Sequence, residues 1–325
     1  MSLVITPHRP LEADPHIYFC SLSTDGKFVA CALGNGSVCL LDTVNFHLLA
    51  RGAPGKDFLD VPATCIQWMP VPGEKEWKLV SSSSAGGVML WDWDASELAL
   101  RRGTAVCEPK NEVMTVDVSP NGLQVLTAGS DRIVRLYDAE LNPLAQLIEG
   151  VNADGTLRPT HVSRIFSVRF VSDVLAVSAG WDSPIQMWDL RARQSNRQVV
   201  GLLGVSDCLE PVPSAQIVLV ASPKSPNTLQ IFESVTGRVL DENSKTVCSQ
   251  LDPKDRVTVC RFHAETGHVW CLTSSPPSVV VLSLSSGVIV ARAALTHYPL
   301  NTAVNGDGVV IGCKNGVLLQ VSLTM

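Results

Sequence analysis

Charged side chains are scarce in this chain. Lys, Arg, Asp and Glu make up 17% of its 325 residues, whereas hydrophobic residues make up 46%. Such a composition allows a large buried core and argues against wholesale disorder. The net charge of −6 provides no overall attraction for nucleic acid or for acidic membranes. We therefore expect a folded protein that binds neither nucleic acid nor a membrane.

The sequence also lacks the features that mark secreted or membrane-spanning proteins. The chain has ten cysteines but no CxxC pair. Free cysteine behaves as a small buried hydrophobe, so we predict reduced core residues in a cytoplasmic protein, with a nuclear location also open. No run approaches 18 uninterrupted apolar residues, and the N-terminus has no basic segment followed by an apolar one. We expect neither a membrane span nor a secretion signal. Seven of the cysteines lie in strand-like segments: Cys20, Cys31, Cys39, Cys65, Cys260, Cys271 and Cys313.

Cofactor motifs are also absent. The chain has neither a Walker sequence nor a GxGxxG turn between a strand and a helix. His263, His268 and Cys271 lie within nine residues, but a structural zinc site needs four ligands at suitable spacing. The run FHAETGHVWC is more typical of a hairpin in which polar and buried residues alternate. We therefore predict no metal and no cofactor.

The most regular stretch of the chain is HVSRIFSVRFVSDVLAVSAGWDSPIQMWDLR, residues 161–191. Apolar and polar residues alternate with a period of two, which is typical of half-buried antiparallel strands. The pattern predicts strands at Ile165–Phe170, Val174–Ser178 and Ile185–Trp188. A tight turn is predicted at Gly180-Trp181-Asp182.

This strand-turn pattern recurs along the chain. The ends of the third strands lie 44–51 residues apart, mostly slightly above the roughly 40–45 residues typical of one propeller blade. The last such strand runs from about Val317 to Val321, which gives seven repeats. The earlier ends are Leu41-Asp42, Trp91-Asp92, Tyr137-Asp138, Trp188-Asp189, Phe232-Glu233 and Leu282-Ser283.

With these motifs the chain resembles the WD-repeat (WD40) β-propeller family. The resemblance implies an all-β fold: a seven-bladed β-propeller of four-stranded antiparallel blades, formed by residues 1–325 as one domain. The seventh repeat supplies only three strands. We predict that the N-terminal strand Leu3–Thr6 completes the last blade and closes the ring, because closure removes an open sheet edge.

The resemblance also assigns a buried hydrogen-bonded tetrad. In the family, a His before the first strand, a Ser or Thr on the second, an Asp in the following turn and a Trp on the third form this group. The matching residues in the regular stretch are His161, Ser178, Asp182 and Trp188. A His, a Ser and an Asp also suggest a catalytic triad, but Ser178 lies within a strand and has no Gly-x-Ser-x-Gly elbow. We predict a structural tetrad and no enzyme activity.

The third repeat keeps part of the tetrad. Thr127 and Asp131 occupy the second-strand and turn positions, and Tyr137 replaces the Trp. No His partner is evident, so we expect this tetrad to be incomplete.

The family resemblance places three side chains of each blade on the top surface, where partners bind. In the fourth repeat these are Arg164, Phe166 and Trp181. Trp and Arg are enriched in interface hot spots, although Trp181 could instead fold down over its own blade. The implied function is a non-catalytic scaffold that binds one or more proteins in a larger complex and takes no small-molecule substrate. The third repeat contributes Glu112, Met114 and Ser130.

Two short motifs suggest other functions. Leu100-Arg101-Arg102-Gly103 resembles the motif of phosphoinositide-binding propellers, but it follows the second repeat rather than preceding a late blade. A solvated outer strand is the simpler interpretation. Trp188-Asp189-Leu190-Arg191 resembles a motif of cullin-RING ubiquitin ligase substrate receptors, in which the Arg contacts the adaptor. Arg191 could equally pair with Asp189 or cap the strand.

Overall fold

Seven sheets, antiparallel except where one short strand of the fourth sheet pairs in parallel, form a closed ring in the computed structural model of the chain. It describes residues 1–11, 15–55, 61–70, 77–181, 184–202, 204–222, 228–248, 250–252, 254–306 and 308–324. The innermost strands of successive sheets contact one another in chain order, and the innermost strand of the seventh contacts that of the first. The predicted seven-bladed propeller, closed by the N-terminal strand, is confirmed.

Each of the first three blades is a four-stranded meander, with its first strand at the central channel and its last at the rim. Blade one contains β2 (Ile17–Leu22), β3 (Phe28–Leu33), β4 (Val38–Asp42) and β5 (Leu48–Gly52). Blade two contains β6 (Ala63–Met69), β7 (Trp77–Ser83), β8 (Gly87–Asp94) and β9 (Ala99–Cys107). Blade three contains β10 (Val113–Val118), β11 (Gln124–Gly129), β12 (Val134–Asp138) and β13 (Pro143–Leu147).

Blades four and five differ from this plan at their outer edges. Blade four has the meander β16 (Ile165–Ser172), β17 (Leu175–Gly180), β18 (Ile185–Asp189) and β19 (Gln194–Val199). Two short strands extend it, β14 (Gly150–Val151) and β15 (Leu157–Arg158). In the described part of blade five, three strands precede a helix. These are β20 (Leu209–Val212), β21 (Ile217–Ala221), β22 (Leu229–Glu233) and α1 (Asp241–Cys248).

The last two blades return to four strands. Blade six contains β23 (Val257–His263), β24 (His268–Ser274), β25 (Pro277–Ser283) and β26 (Ile289–Ala294). Blade seven contains β27 (Pro299–Asn305), β28 (Gly308–Cys313) and β29 (Leu318–Thr324), and its outer strand is β1 (Ser2–His8). The register of β1 against β29 runs from Ser2 opposite Thr324 to His8 opposite Leu318. The N-terminal strand therefore pairs as predicted and is a few residues longer.

The extra elements protect two sheet edges that would otherwise be open. Residues 148–160 look like a polar loop in the sequence but form the β14–β15 hairpin, which Arg158 fixes by donating hydrogen bonds to Gln186 Oε1 (2.8 Å) and Ser195 Oγ (2.9 Å). On blade five, the Ile231 N–H on β22 donates to Ser244 Oγ of α1 at 3.0 Å. Helix α1 thus takes the place of a fourth strand along β22.

Hydrophobic side chains fill the spaces between adjacent blades. The alternation seen in the sequence places Trp91, Trp188 and Trp270 in these layers, each almost fully buried. The seven cysteines predicted to be core residues are all buried. Tight turns join the strands, and Gly122 shows why some need glycine: its φ is +74°, and a Cβ there would lie 2.0 Å from the Pro70 carbonyl oxygen. No helix in the described ranges is both long and apolar enough to cross a membrane.

Candidate partner-binding site

Three of the predicted binding residues form one cluster on blade four, at the end of the propeller where β17 turns toward β18. We call this end the top face. Trp181 follows β17 and is 56% exposed. Its ring lies 5.1 Å from that of Phe166, centroid to centroid, and 5.6 Å from the Arg164 guanidinium carbon. Trp181 therefore packs against its own blade while most of its surface stays open to solvent.

An ion pair extends this cluster onto blade three. Arg164 Nη1 lies 3.3 Å from Glu112 Oε2, and Ser130 fixes the Glu112 backbone by accepting its N–H at 2.8 Å. The pair is partly exposed, so its contribution to stability is small, about 0.2–1 kcal/mol. Its structural effect is to hold the Arg164 guanidinium beside Trp181.

The cluster borders a cavity of about 610 Å³ at the top of the central channel. Met114, the remaining blade-three residue predicted to bind partners, lines this cavity together with Phe166 and Trp181. The structure thus brings five predicted residues to one place: Trp181, Arg164, Phe166, Glu112 and Met114. We call these five residues the top-face cluster.

Arg191 does not belong to the top-face cluster. It follows β18 at the opposite end of the blade and is 73% exposed on its side chain. Its Nε lies 3.5 Å from Asp189 Oδ1, which also accepts the Arg191 backbone N–H at 3.0 Å. Arg101 and Arg102 are exposed on β9, the outer strand of blade two, where Arg101 pairs with Glu97.

Below the top face, blade four buries three of the four residues of the predicted tetrad. Ser178 Oγ lies 2.7 Å from His161 Nε2 and accepts the Trp188 indole N–H at 2.8 Å. All three side chains are buried, and Ser178 has no exposed surface. A buried hydroxyl engaged in this way suits a structural role better than nucleophilic attack. Asp182, the fourth predicted member, lies outside the described residues.

Blade three contains a buried hydrogen-bonded group centred on Glu108, which the sequence did not predict. We call such a buried group a hub. Glu108, 2% exposed, takes the position that the His holds in blade four, beside the hydroxyl of the second strand. Its Oε1 accepts hydrogen bonds from Thr127 Oγ1 at 2.5 Å and from the Tyr137 hydroxyl at 2.9 Å. In this blade a carboxylate thus takes the place of the imidazole, and Tyr137 reaches it directly.

Arg135 completes this hub by pairing with two acidic side chains. Arg135 donates to Glu108 Oε2 at 3.1 Å and to Asp131 Oδ2 at 2.5 Å. Burial alone would lower the pKa of Arg135, but Asp131 and Glu108 outweigh it and raise that pKa. Burial and Glu108 also raise the pKa of Tyr137. Arg135, a charge on a strand otherwise rich in apolar residues, was the signal that could have revealed a buried acid nearby.

A second buried network crosses the central channel and was also missed. Asp207 precedes β20, and both Arg169 of β16 and Arg261 of β23 donate to its carboxylate. Each arginine is followed by a Phe whose backbone N–H donates to an acid of the preceding blade. Asp117 accepts from Phe170 at 2.7 Å, and Glu210 accepts from Phe262 at 3.0 Å. The repeated Arg-Phe pair in two inner strands was the available signal.

The network shifts the pKa values of its carboxyl groups in different directions. Burial would raise the pKa of Asp207, but Arg169 and Arg261 outweigh it, so that pKa is lowered. Burial raises the pKa of Asp117 to about 6 despite Arg169, and it raises the pKa of Glu210 despite Arg261. The network separates the top cavity from a lower cavity of about 390 Å³, which both arginines line.

The histidines considered as metal ligands face each other in a hairpin. His263 on β23 lies opposite His268 on β24, and His263 Nε2 is hydrogen-bonded to the Gly306 carbonyl. Across the described ranges, no three His, Cys, Asp or Glu side chains converge as a metal site.

Comparison with known proteins points to one repeat family. A sequence profile of the WD domain, G-beta repeat, matches residues 104–138, which run from β9 to the end of β12. The ribosome biogenesis protein WDR12 homolog of Drosophila sechellia is 24% identical over 171 residues, 51% of this chain and 39% of that protein. The WD40 repeat protein poxJ of Penicillium oxalicum is 25% identical over 197 residues, 58% of this chain and 51% of that protein.

The matched part of the chain thus spans about half or less of the length of these relatives. The matched repeat, the similar proteins and the seven-bladed ring agree with one another. Together they show a seven-bladed propeller that contains a WD-domain repeat and is similar to WD-repeat proteins.

Proposed function

We propose that the chain is a non-catalytic protein–protein interaction scaffold, with residues 1–325 acting as one domain whose top face binds the partner. The observation that carries this proposal is the top-face cluster, in which an exposed Trp181 is fixed by Phe166 and by an Arg164–Glu112 ion pair. Large aromatic side chains usually prefer burial. An exposed Trp held in place beside a cavity is typical of an interface hot spot.

The rigid setting favours binding energetically. Association ordinarily costs about 0.5–1.5 kcal/mol for each flexible side chain that becomes ordered. Arg164 and Trp181 already contact each other in the free protein, so part of that ordering precedes binding. Loops on a stiff frame are a common location for such recognition residues.

The test is affinity purification with mass spectrometry, comparing the wild type with a Trp181→Ala, Arg164→Ala double variant. We expect the double variant to lose at least one partner. Arg191→Ala, at the opposite end of blade four, is the matched control and should keep it. Melting curves must show that both variants remain folded. The proposal fails if the folded double variant keeps every partner.

The similar proteins suggest where to seek the partner. Relatives from six Drosophila species carry ribosome biogenesis in their names. We propose a multiprotein assembly of that process as a candidate setting. A nuclear location is compatible with it, whereas the cytoplasmic location stays a prediction. Co-sedimentation of the tagged chain with preribosomal particles, together with imaging of its location in cells, would test both points.

Two alternatives also stay predictions. Arg191 is exposed, as adaptor binding in a ubiquitin ligase receptor requires, and adaptor pull-down lost on Arg191→Ala would support that function. Arg101 and Arg102 are exposed on β9, as phosphoinositide binding requires. Sedimentation with phosphoinositide liposomes, lost on substitution of both arginines, would support the lipid-binding function.

A further inference from the structure

The floor of the top cavity carries a charged group with no hydrogen-bonding capacity left. Asp207 Oδ1 accepts from Arg169 and from Ser167 Oγ, the latter at 3.3 Å. Asp207 Oδ2 accepts from Arg261 and from Asn301 Nδ2, the latter at 3.0 Å. Each carboxylate oxygen has two lone pairs, so all four are occupied. A basic side chain entering the cavity would have to displace an existing donor.

The charges beneath the floor are already paired with one another. Arg169 and Arg261, which both donate to Asp207, line the lower cavity. Asp117 and Glu210 pair with these arginines in turn. Because charge interactions are strong in a partly dry channel, a charged guest would lose hydration without gaining a free partner.

The cavity walls are mainly apolar. Tyr18 and Trp181 are 37% and 56% exposed, and both face the cavity together with Phe19, Met114, Phe166 and Leu300. A volume of about 610 Å³ lies within the range of ordinary ligand pockets, about 300–1,000 Å³. This space can take at least one large side chain and part of the segment that carries it.

We propose that the cavity receives an uncharged aromatic or branched aliphatic side chain from the protein partner, which anchors the partner on the top-face cluster. This inference rests on the proposed function and specifies its chemistry. The apolar walls bury the anchor, the saturated floor excludes a charged one, and Arg164 and Glu112 at the rim remain available to polar groups of the same segment.

The probe is a displayed library of random linear peptides, panned against the full chain. We expect enriched peptides to share an uncharged aromatic or aliphatic position and to bind Met114→Asp at least about tenfold more weakly, since a carboxylate would then face the anchor. Tyr18→Asp introduces the same charge on another wall and should act alike. Val44→Asp, at an exposed turn on the opposite end of blade one, is the matched control and should bind like the wild type.

Other outcomes overturn the inference without touching the proposed function. A shared basic or acidic anchor would contradict the chemistry assigned to the cavity. If the peptides bind folded Met114→Asp and Tyr18→Asp as tightly as the wild type, the cavity takes no anchor. The same conclusion follows if panning enriches no peptides on the wild type over Met114→Asp. The proposed function fails separately, when the folded Trp181→Ala, Arg164→Ala variant keeps every partner.

Discussion

Blades three and four bury hubs of different chemistry in the same place. Ser178 lies opposite Gln186 across β17 and β18, and Thr127 lies opposite Arg135 across β11 and β12. In blade four the hydroxyl meets a His and an indole, whereas in blade three it meets a carboxylate that also binds Arg135 and Tyr137. Strand register therefore fixes where a hub lies. Its chemistry can vary, provided that buried donors find acceptors.

The two blades are also joined to each other at two levels. At the top, Arg164 of blade four pairs with Glu112 of blade three. At the channel, Asp117 of blade three accepts the Phe170 N–H of blade four at 2.7 Å. The top-face cluster therefore lies across two blades that are each held by a buried hub.

The largest effect is expected from breaking the charged hub of blade three. Glu108→Ala leaves Arg135 with one acidic partner and removes the acceptor of Thr127 and Tyr137. Because Arg135 loses one of its two acidic partners and two buried hydroxyl groups lose their acceptor, we expect a loss of about 3–5 kcal/mol in the free energy of unfolding. Chemical denaturation followed by intrinsic fluorescence measures it.

Glu108→Gln is the control for this prediction, because the amide oxygen can still accept hydrogen bonds while the charge is lost. It should lower the free energy of unfolding by less than Glu108→Ala does. Equal stability of the wild type and Glu108→Ala would show that the hub contributes nothing.

A smaller effect is expected from breaking the neutral hub of blade four. Ser178→Ala removes the group shared by His161 and Trp188, and leaving such buried groups unsatisfied costs about 1–3 kcal/mol. Ser178→Thr restores the hydroxyl, as Thr127 provides it in blade three, and should recover most of the loss. If Ser178→Ala lowered the free energy of unfolding by more than Glu108→Ala does, the hub of blade four would contribute more to stability than that of blade three, contrary to this account.

The contribution of Asp117, which links blade three to blade four, to the free energy of unfolding should depend on pH. Burial raises the pKa of Asp117 to about 6 from its ordinary 3.8, so the folded state holds a proton that the unfolded state releases. This contribution to stability is present below about pH 4 and is lost as pH rises to about 6. Asp117→Asn keeps an acceptor for Phe170 but cannot ionise. Its stability relative to the wild type should therefore rise, by about 2–3 kcal/mol, between about pH 4 and pH 7.

Parallel denaturation of the two proteins across this pH range measures the difference. A constant difference would contradict the raised pKa of Asp117, and a difference that falls with pH would reverse its sign.

The smallest effect concerns the ion pair that joins the blades at the top. A double-mutant cycle with Glu112→Ala and Arg164→Ala should give a coupling of about 0.2–1 kcal/mol, because both side chains are partly exposed and screened. The coupling should weaken at high salt. A salt-independent coupling would indicate that the two residues interact through packing rather than charge.

The ring could be predicted because it depends on features visible along the chain. Alternating residues and regular spacing indicated seven repeats, the resemblance to WD-repeat proteins implied the propeller, and an unpaired N-terminal strand indicated how the ring closes. The outer edges of blades four and five could not be predicted in this way. The β14–β15 hairpin has only two residues in each strand, and its position depends on Arg158 reaching Gln186 and Ser195 far along the chain.

The candidate site was predicted in part. The family resemblance implied that Trp181, Arg164, Phe166, Glu112 and Met114 share one face, and their clustering agrees with it. Glu108 was missed because the pattern specified a His at that place. The channel network was missed because Asp207 lies between strands, so its position under the cavity emerges only when the ring brings Arg169 and Arg261 together.

The central claim is that buried hubs stabilise the two blades while the exposed residues above them bind the partner. The most direct measurement is partner affinity and melting temperature for Ser178→Ala and Trp181→Ala side by side. We predict that Ser178→Ala melts lower yet, when folded, binds like the wild type. We also predict that Trp181→Ala changes stability by no more than about 0.5 kcal/mol and loses the partner. Unchanged partner binding by folded Trp181→Ala would contradict the claim.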